Sequence, residues 1–270
     1  MTIADILNFG FIQRALLAGT LIAVLCSLLG VFLVLRRLSL IGDGLAHVTF
    51  GSVAIALFLR LNPAIVTLAA IPLVLLSSLG ILRLTDRARI YGDAAIGIVS
   101  SLGIACGVLI ASVAGGFNVD LFSYLFGNIL AISDSDMWLA VALFAVVVLV
   151  VFLFYHDLFA ITFDEELARC SGIRAERINT LLVLLTALTV VLAMKLVGIM
   201  LISALLILPP VSALQVARSF RGTIVASVCI GTVSVGIGIF ASFLLNLPTG
   251  GVIVLVNFLI FVLAFAWKRM

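Results

Sequence analysis

The chain has 270 residues, of which 65% are hydrophobic and only 10% are charged. Soluble domains usually carry about 25% charged residues, so this composition excludes a soluble protein. The formal net charge of +3 comes from basic residues in short segments between apolar runs, and it therefore indicates no nucleic-acid partner.

Long apolar runs recur along the chain and predict an all-α integral membrane protein. Residues 222–267 contain no Asp, Glu, Lys or Arg, and a run of about 20 apolar residues is enough to cross a bilayer. Lipid offers backbone amides no hydrogen-bond partner, so such runs must be helical. The polar breaks predict one transmembrane domain over 1–270, a polytopic bundle of about nine spans at 12–35, 44–59, 63–82, 94–113, 137–155, 178–194, 196–213, 223–245 and 251–267.

The distribution of basic residues predicts the topology of this bundle. In the nine-span arrangement, alternate loops hold twelve of the fifteen basic residues, and the exceptions are Arg14, Arg60 and Lys195. Loops rich in Lys and Arg remain in the cytoplasm, so the N-terminus is expected outside and the C-terminus inside. The cytoplasmic clusters are Arg36/Arg37, Arg83/Arg87/Arg89, Arg169/Arg174/Arg177, Arg218/Arg221 and Lys268/Arg269.

One apolar segment is too short to be a span. Residues 121–133 (LFSYLFGNILAIS) cannot cross a bilayer as a helix. They predict a short re-entrant or interfacial helix on the outer side. The count of spans becomes eight or ten if this segment, or the span at 196–213, behaves differently.

Residues 156–177 form the largest predicted cytoplasmic loop and the only soluble-looking segment. Within it, residues 163–173 predict a short amphipathic helix with acids near its start and with Gly172 as its stop. This helix is either an ordinary solvated loop helix or a cytoplasmic coupling helix that docks a soluble partner. The pair His156-Asp157 at the rim of a span is interpreted as solvated and structural.

Asp43 and His47 at the start of the second predicted span are candidate metal ligands. They are four residues apart, so on a helix their side chains share one face. A carboxylate and an imidazole suit Zn(II) or Mn(II), and ionisable groups at a membrane boundary are costly unless they have a function. The alternative is that Asp43 caps the helix and His47 is a packed or interfacial histidine. Two ligands are too few for a tight site, so others must come from another helix, a second copy or water.

Two further features near the end of the chain have two interpretations each. Lys195 is stranded between long apolar runs, and it either extends to the outer interface or borders a transport pathway. Pro209-Pro210 removes backbone donors within a span. That break either bends a helix for close contact or exposes carbonyl groups to a pore.

Enzyme motifs are missing from the sequence. There is no HExxH, no GxSxG and no Gly-rich loop that ends in GK[ST]. The chain is therefore predicted to be neither an ATPase nor another enzyme. If it drives active transport, the energy must come from another subunit.

Four segments, RRLSLIGDGLAH (36–47), VDLFSYLFGNILAI (119–132), ELARCSGI (166–173) and LTALTVVLAMKLVGIMLISALLILPP (185–210), carry a family resemblance. Together, and in this order, they resemble the permease subunits of bacterial zinc and manganese ABC importers, the ZnuB/MntB-like family. The resemblance implies a homodimer in the bacterial plasma membrane, with two cytoplasmic ABC ATPase subunits and an extracytoplasmic metal-binding protein. The chain itself binds no cofactor in this scheme: its cargo is zinc or manganese, and ATP is bound by the partner.

The resemblance also assigns residues, by the matching positions of each motif. The close zinc-type relatives look like YLFGD where this chain has Asn128, a neutral amide that can still coordinate through oxygen. Metal held weakly between two copies would be released when ATPase closure pushes on the 163–173 helix. The assigned residues are Asp43 and His47 for the metal, Asn128 with Lys195 for the pathway or gate, and Glu166, Ala168, Gly172 and Ile173 for ATPase coupling.

Two other functions fit parts of the pattern. An ABC permease for an iron chelate or cobalamin would need a wider apolar cavity and no metal ligands. A partner-free secondary transporter or membrane scaffold would need no ATPase. Asp and His by themselves do not separate zinc from manganese or from iron(II).

Overall fold

The computed structural model describes residues 10–61, 63–86, 90–114, 127 and 132–269. All regular structure in these residues is α-helical. The helices are α1 (Gly10–Leu35), α2 (Ile41–Phe58), α3 (Pro63–Asp86), α4 (Gly92–Val113), α5 (Asp134–Leu153), α6 (Tyr155–Phe163), α7 (Glu165–Cys170), α8 (Ala175–Val197), α9 (Ile199–Val216), α10 (Phe220–Leu245) and α11 (Thr249–Arg269).

Nine helices in the described part of the chain, all except α6 and α7, are long and apolar enough to cross a membrane. This finding confirms the predicted all-α polytopic bundle. The spans of α1, α2 and α8 are 67% buried within the chain, whereas those of α4 and α11 are only 17% buried. The helix that carries Asp43 and His47 therefore belongs to the centre of the bundle.

Several boundaries differ from the predicted ones. The second span begins at Ile41 rather than at 44, and its N-cap, Leu40, makes no side-chain cap that the sequence could reveal. The predicted loop 156–177 opens with α6, a mostly apolar helix whose Leu158 and Ile161 are buried, so this part of the loop packs against the bundle. The predicted re-entrant helix at 121–133 lies outside the described residues, apart from residues 127, 132 and 133.

Glycines let α2 and α4 touch backbone to backbone. A Cβ atom on Gly103 would lie 2.7 Å from the Cα of Val48 and 2.9 Å from the carbonyl oxygen of His47. A Cβ on Gly51 would overlap the carbonyl oxygen of Gly103. Small residues are what allow membrane helices to approach so closely. The backbone of α2 at His47 is therefore supported directly by α4.

Pro209 and Pro210 lie inside α9 and are both buried. Proline has no N–H, so Pro210 leaves the carbonyl oxygen of Leu206 without its usual helical donor. That oxygen lies against Gly30 of α1, where an added Cβ would overlap it. Of the two interpretations of the proline pair, the geometry favours close contact between helices over exposure of carbonyls to a pore.

Candidate metal site and coupling helix

Asp43 and His47 lie together on the first turns of α2, as their spacing predicts. The Nε2 atom of His47 is 3.5 Å from Oδ2 of Asp43. The hydroxyl of Ser203, on α9, donates a hydrogen bond of 3.1 Å to Oδ1 of Asp43. A carboxylate, an imidazole and a hydroxyl from two helices therefore converge at one place.

The structure excludes Asp43 as the N-cap of α2, while its role as a metal ligand stays a prediction. The N-cap of α2 is Leu40, and Asp43 is an acid of the first helical turn, so it is not the cap. A carboxylate at this position is favoured by the positive end of the helix dipole. The side chains of Asp43 and His47 are 45% and 27% exposed, so neither is sealed into the core of the chain.

These two side chains belong to a partly exposed stripe on an otherwise buried helix. Asp43, His47 and Phe50 follow the i, i+4, i+7 spacing of one helix face, and the residues between them are buried. A charged side chain that faces lipid is costly. The stripe must therefore border water or another protein surface.

Leu206 of α9 contacts both α1 and the start of α2. Its side chain lies against Gly42 of α2, and its carbonyl oxygen lies against Gly30 of α1. The turn of α2 that carries Asp43 is therefore packed directly on α9, the helix that also carries Ser203.

The described residues of one chain supply only part of a coordination shell. Within the described residues no group of three or more His, Cys, Asp or Glu side chains could hold a metal ion. Metal sites in proteins use at least four donors, and manganese takes oxygen and nitrogen donors readily. Asp43, His47 and Ser203 need further donors from water or from outside the described part of this chain.

The soluble-looking segment contains the predicted short helix, although α7 is shorter than 163–173. Asp164 caps it, since its Oδ1 accepts a 2.9 Å hydrogen bond from the backbone N–H of Leu167. Gly172 follows the C-cap, Ser171, and its φ of +86° is the left-handed conformation that glycine adopts without strain. Bonds from Ile173 N to Ala168 O (3.0 Å) and from Gly172 N to Arg169 O (3.1 Å) complete a Schellman motif.

The predicted coupling residues differ in exposure. Glu166 and Gly172 are exposed and Ile173 is partly buried, whereas Ala168 is only 3% exposed and faces the rest of the chain. The apolar side chain of Leu167 is 64% exposed beside them. In the sequence, Leu167 directly precedes Ala168, so it lies about 100° around the short helix from that buried residue.

The two predicted pathway residues have different outcomes. Asn128 lies outside the described residues. Lys195, at the end of α8, donates a 2.7 Å hydrogen bond to Oδ1 of Asp136 at the start of α5. Lys195 is therefore paired within the chain, and its role at the pathway stays a prediction.

Comparison with known proteins identifies the family. The model of the ABC 3 transport family matches residues 8–268. The chain belongs to this family. Among ABC-3 relatives, the manganese transport system membrane protein MntC of Listeria monocytogenes is 34% identical over 260 residues, covering 96% of this chain and 91% of MntC. The manganese import system permease protein ScaB of Streptococcus gordonii is 37% identical over 258 residues, covering 96% of this chain and 91% of ScaB.

Solved structures agree with this family and with the fold. PsaBC from Streptococcus pneumoniae, solved in complex with a Fab, has a chain with a TM-score of 0.85 and 34% identity, covering 97% of this chain and 94% of that one. A metal-chelate type ABC transporter in an inward-facing conformation has a TM-score of 0.78 at 14% identity, covering 94% and 85%. The second likeness concerns the fold alone. The ABC-3 fold thus extends over nearly the whole chain.

Proposed function

We propose that this ABC-3 chain is the membrane permease of an importer for divalent metal ions, with manganese as the first candidate cargo. The observation that carries the proposal is the partly exposed Asp43–His47 stripe on the central helix α2, with Ser203 bonded to the carboxylate. A hard oxygen donor, an imidazole and a hydroxyl suit manganese. The MntC and ScaB relatives are also named as manganese transport proteins, which supports manganese as the cargo.

A second copy of the chain would complete the site. The Asp43–His47 stripe must face something other than lipid, and the described residues of one chain bring too few donors. If two copies pack with these stripes facing each other, two carboxylates and two imidazoles surround one path. The resulting homodimer would hold the ion strongly enough to remove part of its hydration shell and weakly enough to release it.

The proposed partners lie at opposite ends of the bundle. The end that carries α7 also carries Arg36, Arg174 and Arg221, so by the positive-inside rule it faces the cytoplasm. There the exposed residues of α7 would dock a pair of ABC ATPase subunits. An extracytoplasmic binding protein would deliver the ion at the other end. In this scheme residues 1–270 act as one permease domain, with the N-terminus outside and the C-terminus inside.

Uptake of radioactive manganese into proteoliposomes tests the proposed function. The chain is purified together with its ATPase, reconstituted, and supplied with its metal-binding protein and with ATP on the side that α7 faces. Uptake should depend on ATP, and excess unlabelled manganese should suppress it while an iron chelate or cobalamin should not. Uptake that proceeds equally without ATP would contradict the proposal and favour a secondary transporter.

Ser203→Ala should weaken manganese binding without abolishing transport. The Ser203 hydroxyl holds the Asp43 carboxylate in place, and a partly exposed hydrogen bond to a charged group is worth enough to raise KM about threefold to tenfold. The measurement is the manganese dependence of uptake. Ser212→Ala, which removes a hydroxyl bonded to Leu208 O within α9, is the matched control and should leave KM unchanged.

Leu167→Asp should loosen the complex with the ATPase. Leu167 presents a 64% exposed apolar side chain on α7, and full burial of a leucine side chain is worth about 1.5–3 kcal/mol, or roughly tenfold or more in affinity. The ATPase should therefore be lost more readily during size-exclusion chromatography. Cys170→Ser, also exposed on α7, is the control. If both variants retained the ATPase to the same extent, Leu167 would not be part of the interface.

A further inference from the structure

Arg36 fastens the coupling helix to the transmembrane bundle. Its Nη2 atom donates a 2.6 Å hydrogen bond to Oε2 of Glu165, the first residue of α7. Its Nη1 atom donates to Oδ1 of Asn179, near the start of α8. The amide of Asn179 in turn donates to the same Glu165 oxygen at 3.3 Å. Three helical elements, α1, α7 and α8, thus meet at one guanidinium group.

The cluster of Arg36, Glu165 and Asn179 differs from an ordinary surface ion pair. The Arg36 side chain is only 10% exposed, and its planar fork holds both partners at once. Partial burial acts to raise the pKa of Glu165, but hydrogen bonds from Arg169 and Asn179 and the charges of Arg36 and Arg169 outweigh it and leave that pKa lowered. Glu165 is therefore ionised at neutral pH, and its ion pair with Arg36 is retained there.

A short turn with backbone hydrogen bonds at both ends connects Arg36 to the start of α2 and the candidate metal site. Arg37 has a φ of +59°, and Leu38 N donates to Leu33 O at 2.8 Å, which closes the end of α1. Ile41 N then donates to Leu38 O at 3.0 Å as α2 begins. Asp43 follows Arg36 by only seven residues. A displacement of Arg36 must therefore move the start of α2, since no flexible linker lies between them.

We propose that Arg36 is a positioning residue that transmits movement of the coupling helix to Asp43 and His47. When the ATPase subunits push on α7, Glu165 carries Arg36 with it, and the turn after α1 shifts the first turn of α2. The stripe then changes its distance from the facing copy, and the ion is released. This inference rests on the proposed function, because it assumes that α7 docks an ATPase and that α2 binds the metal.

The experiment measures how many ATP molecules are hydrolysed for each manganese ion transported. Arg36→Gln should keep the complex with the ATPase and keep ATP hydrolysis, while uptake per ATP falls roughly tenfold, the size usual for single residues that carry coupling. Arg37→Gln, at the exposed neighbouring arginine, is the matched control and should retain the wild-type ratio. The exchange Arg36→Glu with Glu165→Arg restores the ion pair and should recover part of the lost coupling.

Each outcome bears on the proposal. Wild-type coupling in Arg36→Gln would overturn it, and so would loss of the ATPase, since Arg36 would then stabilise docking rather than transmit movement. If Arg36→Gln does not fold into a stable membrane chain, Glu165→Gln, which keeps the side-chain shape, decides by the same ratio. Failure of the wild-type chain to couple ATP to manganese uptake would instead refute the proposed function itself.

Discussion

Asp43→Ala and His47→Ala are each expected to abolish manganese uptake while the chain still assembles with its ATPase. Mutation of residues that merely support metal ligands already costs about 10–100-fold, so loss of a ligand should lower uptake by about 100-fold or more. Both side chains are partly exposed, so their removal leaves no large cavity in the core. Initial rates of radioactive manganese uptake, at equal amounts of reconstituted protein, are the measurement.

The control is the other histidine of the chain. His156 is exposed on α6, and His156→Ala should transport at the wild-type rate. Asp43→Asn adds a finer test, because it keeps the shape of the side chain and removes only its charge. Normal uptake by either alanine variant would exclude that residue from the ion path.

Gly103→Ala should both destabilise the protein and impair transport. The new methyl group would press on the backbone of Val48 and His47, which cannot move aside as a flexible side chain would. Overpacking of this kind costs about 1–3 kcal/mol. We expect a lower midpoint of thermal unfolding in detergent and a displaced His47, with reduced uptake as the second readout.

Gly97→Ala on the same helix is the matched control. Nothing lies within 4 Å of a Cβ at Gly97, so this variant should unfold at the wild-type temperature or slightly above it, because alanine favours the helix. If Gly103→Ala were as stable and as active as Gly97→Ala, that result would contradict a close backbone contact between α2 and α4.

Most of the transmembrane architecture could be predicted from local composition. Spans such as 223–245 hold no charge over their whole length, and the bilayer leaves a helix as the one solution for such a run. Boundaries are less predictable where the signal is tertiary. The start of α2 has no capping side chain, and α6, which buries Leu158 and Ile161, lies where a cytoplasmic loop is predicted.

Part of the candidate site was also accessible from the sequence. Asp43 and His47 are four residues apart on one helix, so their proximity follows from helix geometry alone. Ser203 lies 160 positions from Asp43, and Arg36 lies 129 from Glu165. No pattern in one sequence pairs residues at such distances.

The sequence alone determined that this chain is a charge-poor helical membrane protein with one hydrophilic loop and one acid–histidine pair, because lipid solvation and helix periodicity act on neighbouring residues. Only the tertiary structure decided how far that pair is exposed, which hydroxyl supports it and which arginine connects it to α7. Those answers depend on how α1, α2, α8 and α9 pack. Glycines at some of the contacts, such as Gly30 and Gly42, set how closely these helices approach each other. Close packing brings together residues that are far apart in the chain, and the local periodicity of the sequence does not indicate which residues will meet.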